Sequence, residues 1–282
     1  ALCPTTLLLW DKCLHQMLSC IFQGLLMSSL TYFDAHVHAN LMNSPLNVAR
    51  SSSEAGLGLF TCGVTPHDYL ELAPQLSQDN IRVGLGAHPW YISDGRVTQK
   101  DIELLLELME QTPYVGEIGL DFSSRYCVDG LQELQVKAFT QICTRAAELS
   151  RNDQPRVLSM HTVRSVDAVL DILEQTGAAQ ACIPIIHWFS GSSDELQRAI
   201  KLGCWFSVGE MSLKTKRGRE YAKVYPKDKL LTETDLPSSD HTDISAADIV
   251  DSLKRALSGL SEARGYSVQT EVMANAAGVF GV

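Results

Sequence analysis

The segment Thr31–His38 reads Thr-Tyr-Phe-Asp-Ala-His-Val-His, a short apolar run that ends in two histidines. It opens a series of eight such runs, each followed by a longer stretch whose apolar residues recur at helical spacing. The predicted strands are Thr31–Ala35, Leu57–Thr61, Ile81–Ala87, Tyr114–Gly119, Val157–His161, Ile183–His187, Trp205–Val208 and Leu230–Glu233. Strands that alternate with helices indicate an α/β fold with a parallel sheet. Eight repeats in about 250 residues favour a single closed (β/α)8 TIM-type barrel over an open sheet.

The domain organisation follows from the same pattern. No shift in composition and no linker divides residues 31–282, so we predict one barrel domain there. Residues 1–30 differ, because Leu14, Leu18 and their apolar neighbours predict an amphipathic helix. Two interpretations stay open for this extension: a genuine capping helix, or sequence upstream of a domain that starts near Met27.

Composition narrows the classes of function. A net charge of −10 argues against a wide electrostatic footprint on duplex nucleic acid, but leaves room for a local phosphate site if bound metal supplies positive charge. The chain has no uncharged apolar stretch long enough to cross a membrane. Its eight cysteines form no CxxC pair, which predicts a reducing, cytoplasmic compartment.

Histidines concentrate where the predicted strands end. Five of the eight lie there, namely His36, His38, His88, His161 and His187. The carboxyl ends of barrel strands and the loops after them converge on one face, where such barrels carry their active sites. The concentration therefore favours a functional site.

Each candidate has an ordinary structural explanation when taken alone. His36 and His38 share one face of a strand and can reach the same ion, but they can equally be two partly exposed histidines. Glu117 lies inside an apolar strand, where its carboxylate needs either a salt-bridge partner or a metal. Asp235 ends the last strand, at a position also typical of a turn or helix cap.

Taken together, the candidates are more informative. Four histidines and two carboxylates at one barrel mouth would carry a severe desolvation cost without a compensating ion. Two divalent cations that share Glu117 as a bridge would satisfy all of them. The predicted metal ligands are His36, His38, Glu117, His161, His187 and Asp235.

From about Thr31 to the C-terminus, the chain resembles the TatD-like metal-dependent hydrolases, a (β/α)8 branch of the amidohydrolase superfamily. The matching segments are Asp34–His38, Gly86–Pro89, Gly116–Asp121, Met160–His161, His187–Gly191, Glu233–Pro237 and Asn275–Gly281. The resemblance implies the same six metal ligands and a metal-dependent deoxyribonuclease, often one that removes nucleotides from 3′ ends. The segment Ile186–Arg219 resembles the TatD-like component of the bacterial Qat anti-phage defence system.

Three departures from the family pattern concern substrate handling. After Asp235, the segment Ser238–Asp243 replaces the family's usual proline- and asparagine-containing segment. Trp90 stands where the family commonly has a second histidine after GxHP. Arg164 lies one residue later than the arginine of the usual HxR.

These residues suggest a mechanism. Two divalent metals, Mg, Mn or Zn, would hold a bridging water, with Glu117 between them and Asp235 as both ligand and general base. His88 and Arg164 are candidates for holding phosphate oxygens. Ser190 and Gly191 are candidates for an anion site before the next helix, unless that loop only caps the helix.

The predicted partner is DNA, as single strands or 3′ ends, with protein partners from a defence system as a further possibility and no membrane. Trp90 and Trp188 would either stack on bases or only pack the barrel mouth. Two other functions stay open. One is hydrolysis of a small amide or ester, although Gly116–Asp121 lacks the lysine that often bridges the metals in related barrels. The other is a non-catalytic subunit of a defence complex.

Overall fold

The eight predicted strands are all present. The computed structural model describes residues 30–76, 78–127, 130–239 and 242–282. Its strands are β1 (Tyr32–Val37), β2 (Leu57–Cys62), β3 (Ile81–Gly84), β4 (Tyr114–Asp121), β5 (Val157–Val163), β6 (Ile183–His187), β7 (Trp205–Val208) and β8 (Leu230–Thr232). β3 ends at Gly84 rather than at Ala87, because the chain then leaves β2 and the Ala87 N–H donates to the Glu117 carbonyl (2.9 Å).

The strands are parallel and lie in chain order, in one sheet of β1 to β3 and a second sheet of β4 to β8. Hydrogen bonds connect the two sheets at both edges. At one edge the Leu85 N–H donates to the Tyr114 carbonyl (3.1 Å), and at the other the Asp235 N–H donates to the His36 carbonyl (2.9 Å). The strands therefore surround one interior, as the α/β barrel prediction requires.

Helices cover the outside of the strands. They are α1 (Pro45–Glu54), α2 (Pro66–Leu72), α3 (Pro89–Ser93), α4 (Gln99–Leu108), α5 (Leu131–Leu149), α6 (Val166–Thr176), α7 (Ala178–Ala181), α8 (Ser193–Leu202), α9 (Glu210–Leu213), α10 (Lys216–Ala222), α11 (Ala246–Arg264) and α12 (Gln269–Phe280). Three of them, α3, α7 and α9, have only four or five residues. They were not predicted, because one helical turn is too short to display a period.

Apolar side chains fill the amino-terminal end of the barrel. Phe280 from α12 stacks on Phe33 of β1 (ring centroids 4.6 Å apart) and contacts Phe60 of β2 (5.1 Å). The Arg82 Nε–H donates to the Phe280 carbonyl (2.8 Å) and fixes this end of the helix. Polar chemistry is thereby confined to the opposite, carboxyl-terminal end of the strands.

The helix predicted in the N-terminal extension falls on residues 1–29, outside the described residues. Within the described ranges, no helix combines the length and the apolar character that a bilayer crossing needs.

Candidate metal centre

Glu117 of β4 is the centre of a buried cluster of imidazoles. The exposed fraction of its side chain is only 2%. Its Oε1 lies 2.9 Å from His161 Nδ1, 2.9 Å from His187 Nε2 and 3.2 Å from His88 Nε2. These three rings therefore converge on a single oxygen of one carboxylate.

The other oxygen of Glu117 faces a different group of side chains. Its Oε2 lies 3.2 Å from His38 Nε2 and 3.4 Å from His36 Nε2, and these two nitrogens are 3.2 Å apart. Asp235 completes this group, with its Oδ1 3.3 Å from His38 Nε2. The structure thus brings together all six residues predicted as metal ligands, in two groups on either side of Glu117.

The fold explains this convergence. His36 is in β1 and His38 follows it, and residues two apart in a strand point to the same side. Glu117 is in β4, His161 in β5 and His187 ends β6. The carboxyl ends of these parallel strands meet at the same mouth, so distant segments of chain deliver their side chains to one place.

Three residues at this mouth have a left-handed backbone conformation, which is unfavourable for any residue other than glycine. They are Arg164 (φ 55°), Trp188 (φ 41°) and Asp235 (φ 57°), and they come just after β5, β6 and β8. Such conformations cost on the order of 1 kcal/mol or more each, and they cluster where function constrains the backbone. The backbone therefore supports a functional role for this end of the barrel.

Each imidazole has a second nitrogen that does not face Glu117, and its hydrogen-bond partner indicates whether a cation fits at the centre. His38 Nδ1 lies 2.9 Å from the Cys62 carbonyl, which can only accept, so Nδ1 carries the hydrogen. A neutral His38 therefore presents the lone pair of Nε2 to the Glu117 carboxylate, an arrangement that needs a cation between them. His161 lies between two carboxylates, with Nε2 3.1 Å from Asp121 Oδ2, and needs a cation for the same reason.

The donor set suits a divalent cation. Imidazole nitrogens and carboxylate oxygens are the common ligands of catalytic zinc and related metals. Glu117 has ligand atoms of His36 and His38 close to it on one side and of His88 and His161 on the other, although neutral His88 presents an N–H there rather than a lone pair. His187 Nδ1, on the side of the ring away from Glu117, is buried without a hydrogen-bond partner among the described residues and lies 3.8 Å from Glu233 Oε1.

His88 differs from the other rings. Its Nδ1 accepts a hydrogen bond from the backbone N–H of Trp90 (3.1 Å), so in the neutral ring Nε2 carries the hydrogen. Burial is the largest influence on its pKa, which is lowered, and the neutral form is therefore favoured. His88 consequently points an N–H donor, rather than a lone pair, at the centre.

Proton affinities in the cluster are strongly perturbed. Burial acts to lower the pKa of His38, but hydrogen bonds with Asp235 and Glu117 outweigh it and raise this pKa to about 10. Burial lowers the pKa of His36 to about 4. Burial acts to raise the pKa of Glu117, but the surrounding histidines hold it well below its ordinary value. In the metal-free protein, the proton on His38 therefore offsets the negative charge of Glu117 and Asp235, as a bound cation would.

Raising the pH is expected to destabilise the metal-free protein between about pH 6.5 and pH 10. His38, His161 and His187 have raised pKa values when folded, so their stabilisation is complete below pH 6.5 and is lost as the pH rises through those values. His36 and His88 have lowered pKa values and are neutral in this range in both states. Thermal unfolding in chelator checks this, and a melting temperature that rose over the same range would contradict it.

Two buried carboxylates near the centre were not predicted as functional residues. Glu233 accepts the Trp188 N–H at Oε1 (2.9 Å) and a hydrogen bond from Ser207, and its Oε1 lies 3.8 Å from His187 Nδ1. Asp121 accepts hydrogen bonds from the Trp90 indole N–H (2.6 Å) and from the Ser123 N–H (2.8 Å) while facing His161. Asp121 lies in the segment Gly116–Asp121 and Glu233 in Glu233–Pro237. Their sequence signal was a carboxylate at the end of an apolar strand.

Replacing Asp121 with Asn is expected to weaken metal binding about 10- to 100-fold, the usual effect of losing the carboxylate behind a ligating histidine. An amide has only one acceptor oxygen, and its NH₂ group would face the N–H of His161 or Trp90. Calorimetric metal titration measures the loss. Trp90→Phe is the matched control, because it removes one donor to Asp121 but keeps a ring against Tyr126 (centroids 4.2 Å apart). Equal affinity in Asp121→Asn and the unmodified protein would contradict this role.

The remaining predicted substrate residues lie around the mouth. Arg164 and Ser190 are exposed, and Arg164 has no hydrogen bond or ion pair with any described residue. The Gly191 carbonyl accepts a hydrogen bond from the Tyr221 hydroxyl (3.0 Å). Capping of α8 is confirmed, because the Ser192 N–H donates to Glu195 Oε2 (2.6 Å) and the Glu195 N–H donates to Ser192 Oγ (3.2 Å).

An α/β barrel with buried imidazoles and a shared carboxylate at its carboxyl-terminal mouth defines a metal-dependent hydrolase. Residues 33–281 match the family model described as TatD related DNase. The chain belongs to this family. The sequence-based identification of a TatD-like hydrolase enzyme is therefore confirmed.

Individual relatives agree with the family match. The chain is 26% identical over 214 residues to the uncharacterized metal-dependent hydrolase YabD of Bacillus subtilis, covering 73% of this chain and 80% of the relative. It is 29% identical over 197 residues to the 3′-5′ ssDNA/RNA exonuclease TatD of Citrobacter rodentium, covering 67% and 70%. The match to the enzyme of the same name from Yersinia pseudotuberculosis spans 56% of that relative.

Solved structures show the same fold. The TatD homologue YJJV from Escherichia coli superposes with a TM-score of 0.72 at 20% identity, over 89% of this chain and 98% of the other. A TatD family hydrolase from Entamoeba histolytica gives a TM-score of 0.71 at 15% identity, over 89% and 98%.

Proposed function

We propose that the protein is a deoxyribonuclease that removes nucleotides from the 3′ ends of single-stranded DNA with a dinuclear metal centre. The observation that carries the proposal is the division of contacts around Glu117. Oε1 faces His161 and His187, and Oε2 faces the His36 and His38 pair. The names of the exonuclease relatives support the choice of strand and polarity.

Two cations would share Glu117 in this proposal. His161 Nδ1 and His187 Nε2 would hold one ion, while His36, His38 and Asp235 would hold the other. Divalent ions at such a centre lower the pKa of water and neutralise charge on a phosphoryl group. The mixture of imidazole and carboxylate ligands suits Zn or Mn, and Mg is the further candidate for a phosphate substrate.

Asp235 is assigned the proton-accepting role. Its side chain is 25% exposed, whereas the side chains of His38 and Glu117 are 7% and 2% exposed. Burial acts to raise the pKa of Asp235, but the hydrogen bond with His38 and the nearby histidines lower it, so the carboxylate is ionised. An ionised and accessible carboxylate beside the metal ligands can accept the proton of an attacking water.

His88 and Arg164 are assigned to the substrate phosphate. The Nε2–H of His88 points into the centre and is a suitable donor to a non-bridging oxygen. Arg164 offers an exposed guanidinium, whose planar fork matches two phosphate oxygens. Trp188, exposed at 38%, offers a ring face on which a base can stack.

A single assay tests the proposal. The purified protein is supplied with Mg, Mn or Zn in turn and incubated with a single strand labelled at either end, with and without chelator. We expect chelator-sensitive release of mononucleotides from the 3′ end. A panel of amides and lactones tests the alternative hydrolase function. Turnover of that panel without cleavage of DNA would overturn the proposal, and metal binding without any turnover would favour a non-catalytic subunit.

The proposed cellular role is antiviral defence in the cytoplasm. Its support is the similarity of Ile186–Arg219 to a component of an anti-phage system. Expression of the unmodified protein with its genomic neighbours should reduce phage plaque counts, and expression with Asp235→Asn should not. Equal protection by both forms would overturn an enzymatic role in defence.

A further inference from the structure

We propose that the basic segment Lys214–Arg219 holds the phosphate backbone of a single strand whose terminal phosphodiester lies at the metal centre. This inference rests on the proposed nuclease function and deepens it. It assigns a binding surface outside the centre and a substrate longer than the bond being cleaved.

The first observation is the concentration of charge. The chain has a net charge of −10, yet four of its 23 lysines and arginines fall within residues 214–219. These are Lys214, Lys216, Arg217 and Arg219, all exposed. Like charges this close repel one another, and a bound polyanion relieves that repulsion.

The second observation is that no carboxylate of a described residue forms an ion pair with these four side chains. Other exposed cations do form such pairs, for example Arg96 with Asp94 and Arg255 with Glu210. Glu220, the acidic residue next to the segment, pairs with Lys223 instead (2.8 Å). The positive charge of the segment is therefore available to a ligand.

The third observation is position. The segment begins five residues after Gly209, which directly follows β7 at the carboxyl-terminal mouth. A Cβ on Gly209 would lie 3.2 Å from the carbonyl oxygen of Glu233, whose side chain faces His187. The loop that leads to the basic segment therefore begins next to the candidate metal centre. Even a fully extended chain would bring Lys214 no further than roughly 18 Å from Gly209.

A contact just after the segment connects it to a second loop of the mouth. The Tyr221 hydroxyl of α10 donates to the carbonyl of Gly191, in the loop that follows β6 (3.0 Å). Arg219 Nη1 donates to the carbonyls of Leu213 and Lys214 (2.9 and 3.0 Å) and shapes the turn. Arg219 is therefore partly structural, whereas Lys216 and Arg217 have no hydrogen-bond partner among the described residues.

The occupant follows from this arrangement. Loops after strands seven and eight commonly form phosphate sites in such barrels. A pocket for one small anion would have buried hydrogen-bond donors, whereas this segment is a series of exposed, flexible cations. Such a series suits a ligand with regularly repeated negative charges, as in a nucleic acid backbone. The small footprint agrees with a single strand and not with a long duplex.

The experiment removes the three cations that do not shape the turn, as K214Q/K216Q/R217Q. A variant of equal charge change on the outer helices, K137Q/K201Q/K254Q, is the control. Binding of a fluorescent ten-nucleotide strand is measured by anisotropy in chelator at several salt concentrations, and cleavage is measured for that strand and for a dinucleotide. We expect the slope of log K against log salt to fall by up to about 2 in the first variant, at about 0.7 per lost phosphate contact, and not in the control.

Cleavage separates this inference from the proposed function. KM for the long strand should rise at least tenfold in K214Q/K216Q/R217Q, while turnover of the dinucleotide stays unchanged. Unchanged salt slope and KM would overturn the inference even if the nuclease activity stands. If the unmodified protein cleaves neither substrate with any of the metals, the proposed function fails, and the inference fails with it.

Discussion

Asp235→Asn is expected to lower turnover of single-stranded DNA by two to four orders of magnitude while leaving the protein folded. The amide keeps the size of the side chain and one potential ligand oxygen, but it cannot accept a proton at neutral pH. General-base groups contribute about 10²- to 10⁴-fold to rate, and this sets the range. Cleavage is measured at saturating metal and substrate, and folding is measured by thermal unfolding.

The comparison must separate a base from a ligand. Asp228→Asn makes the same change at an exposed position just before β8, at the opposite end of that strand from Asp235, and should keep full activity. If Asp235→Asn cleaved as fast as the unmodified protein at saturating metal and was slower only at low metal, Asp235 would act only as a ligand. A pH–rate profile that kept its acidic limb in the variant would contradict the base assignment in the same way.

Glu117→Gln is expected to weaken metal binding more than about 100-fold and to bring activity below detection. Its two carboxylate oxygens contact both groups of imidazoles, so one substitution affects all four histidines predicted as ligands. The loss should exceed the 10- to 100-fold effect of removing a group behind a ligand. Metal content after dialysis and calorimetric titration measure it.

The same variant has an instructive effect on stability in chelator. The pKa of Glu117 is held well below its ordinary value, so its charge stabilises the protonated His161 and His187. The uncharged amide removes that stabilisation, and the metal-free variant should unfold at a lower temperature at neutral pH. Glu103→Gln, at an exposed position of α4, is the control. Unchanged metal content and affinity in Glu117→Gln would contradict the central role of this carboxylate.

The sequence predicted the fold and the centre through one physical regularity. Parallel strands align their carboxyl ends, so a histidine or carboxylate at the end of an apolar run is placed at the common mouth whatever the distance along the chain. His36, His161 and His187 were predicted in this way and Glu117 from its place inside an apolar strand, and the structure brings the four together.

Other features depend on partners that strand periodicity cannot indicate. The hydrogen on His38 Nδ1 is set by the carbonyl of Cys62 in a different strand, and the donor character of His88 is set by the Trp90 N–H. Asp121 and Glu233 gain their relevance only from three-dimensional neighbours. Tautomers and the carboxylates behind the rings thus required the structure.

The division of the barrel into a sheet of β1 to β3 and a sheet of β4 to β8 has a practical consequence. The sheet of β1 to β3 and the turn after it supply His36, His38 and His88, whereas the larger sheet supplies Glu117, His161 and His187. The first half lacks Glu117 and the second half lacks the His36 and His38 pair, so neither half carries every residue of the proposed two-ion centre. If the two halves were produced as separate chains, cleavage of a fluorogenic oligonucleotide would report their reassembly directly, so the molecule is suited to conversion into a split reporter.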